Sequence, residues 1–280
     1  MAIQSSRVPR GDIRANICFY RPPKDGSAPF NLIKEPLERN YEPAPEEVTI
    51  HDVRGSESSL TLDHDAVAII TNVPDSAEKD FADDASIERN YYPEVEKLLL
   101  ENVPGANRVV LFDHTIRRAN PNAHRPPVLM AHIDQTAKSA ALRVRRHLGD
   151  DAERLLQGRY RIINVWRPLN KKPVESFPLA FASSATVDDA DLIPVSHIYP
   201  SGYTGQTAAV ARNDNQRWMY LSGMTGNERI LLECFDSEAL KEGSEVKGGR
   251  LPHTAFEHPD TPEDAEPRES IEVRALVFGP

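Results

Sequence analysis

The sequence predicts a mainly β protein with flanking helices, of the α+β class. From residue 159 onward, short runs rich in β-branched and aromatic residues alternate with turns that contain Gly, Asn, Pro and Asp. Before that point, residues 83–103 and 136–157 repeat apolar side chains at helical spacing. A few helices followed by many strands favour a barrel or sandwich with the helices packed outside.

Composition limits the classes of partner. The chain has 280 residues, enough for one large domain or two small ones, and its net charge is -10. An acidic surface argues against nucleic acid and against anionic membranes as partners. The basic run Arg143–Arg146 lies in a helical pattern, so we expect it to be a solvated helix face.

The cysteines and the hydropathy pattern point to a cellular setting. Cys18 and Cys234 are too few for a disulfide framework or a cysteine-rich zinc site, which favours a reducing compartment. The N-terminal segment shows no apolar leader, and no apolar run approaches the roughly 20 residues that span a bilayer. We therefore expect a cytoplasmic protein without membrane contact.

Residues 1–60 have the character of an arm. Prolines interrupt them throughout, and proline cannot donate a backbone hydrogen bond to a sheet. We expect short edge strands and irregular chain, packed on a single domain formed by residues 61–280. The prolines of the arm are Pro22, Pro23, Pro29, Pro36, Pro43 and Pro45.

The predicted helices and strands of the main domain begin near Asp65. One helix is expected over 83–103 and a second over 136–157, and the acidic stretch 257–267 is expected to be a surface loop. Strands are expected at 66–74, 108–115, 127–134, 159–169, 178–187, 194–200, 207–212, 217–224, 229–237 and 270–278.

Several common catalytic motifs are missing from the sequence. There is no Gly-rich strand-to-helix turn of the dinucleotide type, no phosphate-loop lysine motif and no G-x-S-x-G nucleophile elbow. Histidine and carboxylate side chains are therefore the candidates for chemistry.

A His-x-Asp tripeptide ends the apolar run VLMA. Alternation along a strand places His132 and Asp134 on one face, which suits two ligands of one metal ion. The alternative is a histidine at a strand end, hydrogen-bonded to a neighbouring acid. A second such tripeptide, His258-Pro259-Asp260, lies in the acidic proline loop, and we expect it to be solvated surface.

A third histidine and a basic pair follow near the C-terminus. His253 lies in the short apolar run RLPHTAF, and Arg268 and Ser270 come fifteen and seventeen residues later, at the start of the last strand. A guanidinium and a hydroxyl on one face make a clamp for a carboxylate. Two histidines and one carboxylate bind Fe(II) on one face and leave coordination positions open.

This order of residues resembles the non-haem Fe(II)- and 2-oxoglutarate-dependent oxygenases. The phrases FDHTIRR, HIDQT, IINVWRPL, RWMYLSGM, CFDS, PHTAF and RESIEVRALVF together are similar to the hydroxylase/desaturase family of secondary metabolism, over about residues 108–280 and more loosely over the arm. The resemblance implies a double-stranded β-helix (jelly roll, cupin-like) core. One departure is the 119-residue separation of Asp134 from His253, which is long for the superfamily.

The resemblance also implies roles for particular residues. His132, Asp134 and His253 are implied as iron ligands, and Arg268, with Ser270, as the partner of the distal carboxylate of 2-oxoglutarate. Arg274 is the reserve candidate for that carboxylate, because it faces the same way. Weaker candidates for the pocket, which could equally be core or structural residues, are Asn164, Trp166 and Arg167 for the co-substrate, Trp218 and Tyr220 for the substrate, and His114 as a partner of the ligands.

The implied activity uses dioxygen to oxidise an unactivated C–H bond of a small secondary metabolite. Hydroxylation, desaturation and cyclisation are all open, and a homodimer is a further prediction. Two alternatives differ in class. A lyase or isomerase could use the metal as a Lewis acid without 2-oxoglutarate, which would leave Arg268 and Ser270 unexplained. A non-catalytic binding protein could keep the fold without binding iron.

Overall fold

The computed structural model describes residues 8–34, 36–120, 123 and 125–279. In this part of the chain no helix is long and apolar enough to cross a membrane. The strands are β1 (Ile13–Arg21), β2 (Phe30–Leu32), β3 (Glu38–Arg39), β4 (Glu42–Asp52), β5 (Val67–Ile70), β6 (Arg108–Arg118), β7 (His132–Ile133), β8 (Arg159–Pro168), β9 (Leu179–Ala182), β10 (Leu192–Ile198), β11 (Thr204–Val210), β12 (Trp218–Tyr220), β13 (Arg229–Asp236), β14 (His253–Ala255) and β15 (Glu269–Gly279). The helices are α1 (Leu62–Asp65), α2 (Asp84–Asn90), α3 (Tyr92–Asn102), α4 (Ala137–Leu148) and α5 (Ala152–Leu155).

The strands form two sheets. The large sheet has the order β1-β4-β12-β9-β14-β7-β11-β10-β2-β3, and the small sheet has the order β5-β13-β8-β15-β6. Strands that are distant in sequence are neighbours in both sheets, so the chain crosses repeatedly between them. This arrangement places β7 and β14, the strands of the predicted metal ligands, side by side in the middle of the large sheet.

The two sheets pack face to face around an apolar core. Trp166, Ile230 and Leu232 of the small sheet contact Phe181 and Met219 of the large sheet, and all five are buried. The other face of the small sheet is covered by α2 and α3. Their buried residues pack against alternate residues of β8, β13 and β15 in a cluster that includes Ile87, Val95, Leu99, Ile163, Val165, Leu231, Val273 and Ala275.

Helix α3 offers a test of this packing with two adjacent leucines. Leu99 is fully buried in the cluster below the small sheet, whereas Leu100 is 41% exposed. Leu99→Ala is expected to lower the free energy of unfolding by about 2–5 kcal/mol, since it removes buried methyl groups and leaves a cavity. Leu100→Ala should change it by less than about 0.5 kcal/mol. Denaturant unfolding measures both, and equal effects would contradict the assigned face.

Both predicted helices are divided. The first is broken at Tyr91, and Pro93 near the start of α3 explains the break, because proline cannot donate to the preceding turn. The second begins where Thr136 accepts a hydrogen bond from the backbone of Ser139, and it stops at Gly149, whose φ of 52° ends the α-helix. A short 3-10 turn and α5 follow.

The arm is more regular than expected. Strands β1 and β4 pair antiparallel over nine residues each, so they are not short. Pro43 and Pro45 are tolerated in β4 because its other neighbour, β12, pairs only with Ile50–Asp52 and leaves the proline end without a strand on that side. Strands β1 and β3 lie at the two edges of the large sheet.

The predicted strand at 127–134 is shorter than expected. Only His132–Ile133 forms a strand, and a single bridge joins Met130 to Cys18. Pro126 and Pro127 lack the N–H that a continuous ladder needs. Position 134 therefore follows the end of β7, where the side chain of Asp134 can turn between the sheets.

Candidate metal centre

Strand register brings the two predicted histidine ligands together. His253 of β14 lies directly opposite His132 of β7 in the antiparallel pair, so the two imidazoles share one face. Their ring centroids are 4.5 Å apart. Asp134 follows β7 immediately, and one ligand atom from each of the three residues lies within 4.8 Å of the others. The structure thus gathers a two-histidine, one-carboxylate set from positions 119 residues apart.

Hydrogen bonds fix which ring nitrogen is free in each histidine. Nδ1–H of His132 donates to the carbonyl oxygen of Met130 at 2.8 Å, and Nδ1–H of His253 donates to that of Leu251 at 3.0 Å. A carbonyl can only accept, so the proton must be on Nδ1 in both rings. Nε2 is therefore the ring nitrogen that is left for a metal ion in both residues, and the backbone holds both rings in orientation.

Asp134 is held by two partners through one of its oxygens. Nδ2 of Asn164 donates to Oδ2 at 2.8 Å, and Nε of Arg274 lies 3.4 Å from the same oxygen. The other oxygen, Oδ1, faces Nε2 of His132 at 3.4 Å. One oxygen thus anchors the side chain, while the other is directed at the imidazoles.

Charges set the protonation of the three ligands. Burial alone would raise the pKa of Asp134, but the bond to His132 and the charge of Arg274 hold it well below its usual range. Burial and the neighbouring His132 lower the pKa of His253 to about 4, so this ring is neutral at physiological pH. Burial opposes the charge of His132 too, yet Asp134 outweighs it and raises the pKa of that ring. An ionised carboxylate and two imidazoles fit the chemistry of an Fe(II) site with open positions.

The bond from Asn164 leads to a prediction about iron affinity. Asn164→Ala removes a donor that orients Asp134, and loss of such outer partners lowers metal affinity by about 10–100-fold. Anaerobic Fe(II) titration measures the change. Asn215→Ala, at an exposed turn, is the control and should bind iron as the parent does. Unchanged affinity in the Asn164 variant would contradict the orienting role.

The cavity beside these ligands lies between the two sheets and has a volume of about 30 Å³. Arg268 lines it from the residue before β15 and is 2% exposed. The remaining residues that line the cavity are Arg117, Val128, His132, Asp134, Trp166, Leu179, His253, Thr254, Ala255 and Glu272.

Arg268 has no acidic partner within 4 Å in the described part of the chain. Its Nη1 donates to the carbonyl of Phe177 at 2.7 Å, its guanidinium lies 5.6 Å from the ring centre of Trp166, and its buried Nε has no acceptor among the described residues. Burial, together with the like charge of Arg117, lowers the pKa of Arg268 to about 9, and the charge of Glu272 offsets only part of this shift. A bound carboxylate would supply both the missing acceptor and the missing charge.

The reserve candidate Arg274 is differently engaged. Its Nη1 donates to Asp113 at 2.9 Å and its Nε to Glu272 at 3.2 Å, in addition to the contact with Asp134. These acids raise the pKa of its guanidinium despite burial. Arg274 therefore holds the candidate ligand Asp134, and its other donors are already occupied by Asp113, Glu272 and Thr115. Ser270 is buried on the same strand, opposite Pro168 and Arg117.

Strand alternation separates the other predicted residues. Asn164 and Trp166 face the cavity, whereas Arg167 points to the other face of β8 and lies over Phe81, 5.0 Å from its ring centre. Arg167 thus packs below α2 and α3 and does not reach the metal centre.

The two candidate substrate residues of β12 also lie elsewhere. Trp218 packs edge-on against Phe19, and the hydroxyl of Tyr220 donates to the carbonyl of Gly11 at 2.9 Å. Met219 between them faces the core between the sheets, so alternation turns its neighbours to the outer face of the large sheet. Neither residue lines the metal cavity.

Two further histidines, His258 and His114, do not line the cavity beside the candidate ligands. His258 is 5% exposed, with Nε2 3.3 Å from the hydroxyl of Tyr220, so the second His-x-Asp is not solvated at its histidine. His114 bonds to Tyr92 and Asp84 rather than to one of the candidate metal ligands.

The cavity also contains Arg117 and Glu272, which were not predicted from the sequence. Alternation from Ser270 would have placed Glu272 on the same face.

Comparison with known proteins identifies the family. Residues 17–278 match the protein family described as "Oxidoreductase/YMDC permease-like domain". The chain is 41% identical to the hydroxylase/desaturase poxK of Penicillium oxalicum, over 96% of this chain and 92% of that protein. It belongs to the hydroxylase/desaturase family. The oxygenase is also 40% identical, over 55% of its length and 53% of the relative, to the Fe(II)/2-oxoglutarate-dependent dioxygenase nvfI of Aspergillus novofumigatus.

Solved structures agree with the sequence comparison. The solved structure of the iron and alpha-ketoglutarate-dependent endoperoxidase NvfI superposes with a TM-score of 0.86 at 30% identity, covering 97% of this oxygenase and 99% of that chain. The predicted jelly-roll fold and enzyme class are confirmed: the protein is an Fe(II)- and 2-oxoglutarate-dependent oxygenase of a fungal secondary-metabolism family. Its predicted cofactor and co-substrates, Fe(II), 2-oxoglutarate and dioxygen, are confirmed with it.

Proposed function

We propose that His132, Asp134 and His253 hold Fe(II), that Arg268 and Ser270 bind the distal carboxylate of 2-oxoglutarate, and that the enzyme oxidises an unactivated C–H bond of a small secondary metabolite. One observation carries the assignment. The three candidate ligands and a buried guanidinium without an acidic partner in the described residues line the same cavity.

Each residue contributes a separate task. When bound, iron and 2-oxoglutarate supply the activation of dioxygen, coupled to decarboxylation of the keto acid to succinate and carbon dioxide. Asp134 and the Nε2 atoms of His132 and His253 would hold the metal, and a set of three such ligands would leave coordination positions for the co-substrate and dioxygen. Arg268 orients the co-substrate by its far end, and the ring of Trp166 lies against that guanidinium. Apolar Val128 and Leu179 limit water beside the reacting groups.

An anaerobic spectrum tests this proposal. Fe(II) and then 2-oxoglutarate are added to the purified apo-protein, with His253→Ala and Arg268→Ala as comparison variants. A weak visible charge-transfer band that needs both additions and disappears in the His253 variant would support keto-acid chelation to protein-bound iron. Iron that is not retained, with no band, would contradict it. Product formation without 2-oxoglutarate would instead favour the Lewis-acid lyase or isomerase.

We also propose an arm (1–60) packed on one domain (61–280), and the hydrogen bonding of β2 and β4 into the large sheet supports this packing. The net charge of -10 supports the absence of nucleic-acid partners, and the free thiols of Cys18 and Cys234 support a cytoplasmic setting. The homodimer stays a prediction that light scattering on the purified enzyme decides.

A further inference from the structure

Arg117 lines the cavity beside the candidate metal ligands, and no role was predicted for it from the sequence. It lies on β6, the edge strand of the small sheet, directly opposite Ser270 of β15. Directly opposed residues in an antiparallel pair have Cα atoms about 4.5–5.5 Å apart and side chains on one face. Arg117 lines the same cavity as the three candidate iron ligands and Arg268.

The Arg117 guanidinium has no acidic partner within 4 Å in the described residues. Its Nη1 donates to the backbone carbonyl of Pro126 at 3.1 Å. Glu272 lines the cavity too, but its carboxylate bonds to Arg274 and forms no ion pair with Arg117. By contrast, the next residue, Arg118, pairs with Glu269 at 3.1 Å on the opposite face of the strand. Arg117 and Arg268 therefore face one cavity, each without a carboxylate within 4 Å among the residues that the structure describes.

We propose that Arg117 is a second carboxylate-binding residue of this cavity, acting with Arg268 and Ser270 on the distal carboxylate of 2-oxoglutarate. This inference rests on the proposed function, because it assumes that Arg268 binds that group. Arg117 and Arg268 both line the cavity, and Arg117 lies directly opposite Ser270, two residues after Arg268, in the strand pair. A carboxylate offers about four lone-pair sites, which is enough for two guanidiniums and a hydroxyl.

A titration with two keto acids tests the inference. The Fe(II) holoenzyme is titrated anaerobically with 2-oxoglutarate or with 2-oxopentanoate, which has the same keto-acid end but no distal carboxylate, and the charge-transfer band is followed. Arg117→Met is expected to weaken the binding of 2-oxoglutarate at least about tenfold, because the charge-assisted hydrogen bonds to its distal carboxylate are lost. The same variant should bind 2-oxopentanoate as the parent enzyme does. Arg118→Met, the matched control, should change either affinity by less than about threefold.

The other outcomes overturn the assignment in distinct ways. Equal losses for both keto acids would show that Arg117 does not recognise the distal carboxylate. Unchanged affinity for 2-oxoglutarate would show that Arg117 does not bind the distal carboxylate. Arg117 would then be available for a carboxylate on the substrate. Recovery of parental affinity in an Arg117→Met/Glu272→Gln double variant would show that Arg117 only neutralises Glu272. A parent enzyme without the band would overturn the proposed function itself, and the inference with it.

Discussion

His253→Ala is expected to abolish turnover and to weaken Fe(II) binding by more than about a hundredfold. Removal of a residue that merely orients a metal ligand already costs about 10–100-fold, and this substitution removes a proposed ligand outright. His253 is the informative choice of the three, because its side chain bonds to one backbone carbonyl, whereas Asp134 also joins Asn164 and Arg274. His132→Ala and Asp134→Ala should abolish turnover as well.

Anaerobic iron titration and succinate formation measure the effect on folded protein, with circular dichroism as the check of folding. The control is His258→Ala, which empties a similarly buried histidine site that bonds to Tyr220 and lies in a different part of the structure. The control should retain iron. Parental iron affinity and turnover in the His253 variant would remove this residue from the ligand set.

The sequence was sufficient to predict that the candidate ligands His132, Asp134 and His253 lie together, because strand geometry restricts their placement. A period of two places His132 and Asp134 on one side, and the order His-x-Asp, His, Arg-x-Ser constrains the remaining partners. The structure adds the register His132 opposite His253, which no local pattern contains, since it depends on a pairing of strands distant in sequence.

Where the sequence was insufficient, the decisive contact was non-local. Arg268 and Arg274 both face inward, and only the folded chain shows that Asp113, on a strand far away in sequence, pairs with Arg274. The outer orientation of Trp218 and Tyr220 follows from Met219, but a three-residue strand is too short for its buried face to be chosen from the sequence. Likewise, a proline-rich setting suggested exposure for His258, whereas Tyr220 contacts it in the interior.

Arg268→Met is expected to raise the dissociation constant for 2-oxoglutarate by about 30- to several thousand-fold. Loss of one partner from a buried, hydrogen-bonded charge pair costs about 2–5 kcal/mol, and each 1.4 kcal/mol is a factor of ten. Iron affinity should change little, because Arg268 donates to Phe177 and contacts no ligand. Lysine at this position should recover part of the affinity, since it restores the charge but not the planar fork.

Arg274→Met distinguishes the role of Arg274 from that of Arg268. Arg274 contacts Asp134, Glu272 and Asp113, so its loss leaves buried acids without a counter-charge and releases the metal ligand. This variant should therefore bind iron more weakly and have a lower free energy of unfolding. Its binding of 2-oxoglutarate should be impaired only because iron is bound more weakly. Anaerobic titration with 2-oxoglutarate at saturating Fe(II), compared with 2-oxopentanoate, distinguishes the cases. If the Arg274 variant selectively lost 2-oxoglutarate while the Arg268 variant bound it normally, the carboxylate would have to be reassigned to Arg274. The ion pairs of Arg274 argue for the opposite result, because a guanidinium held by three acids has little charge left to offer a fourth.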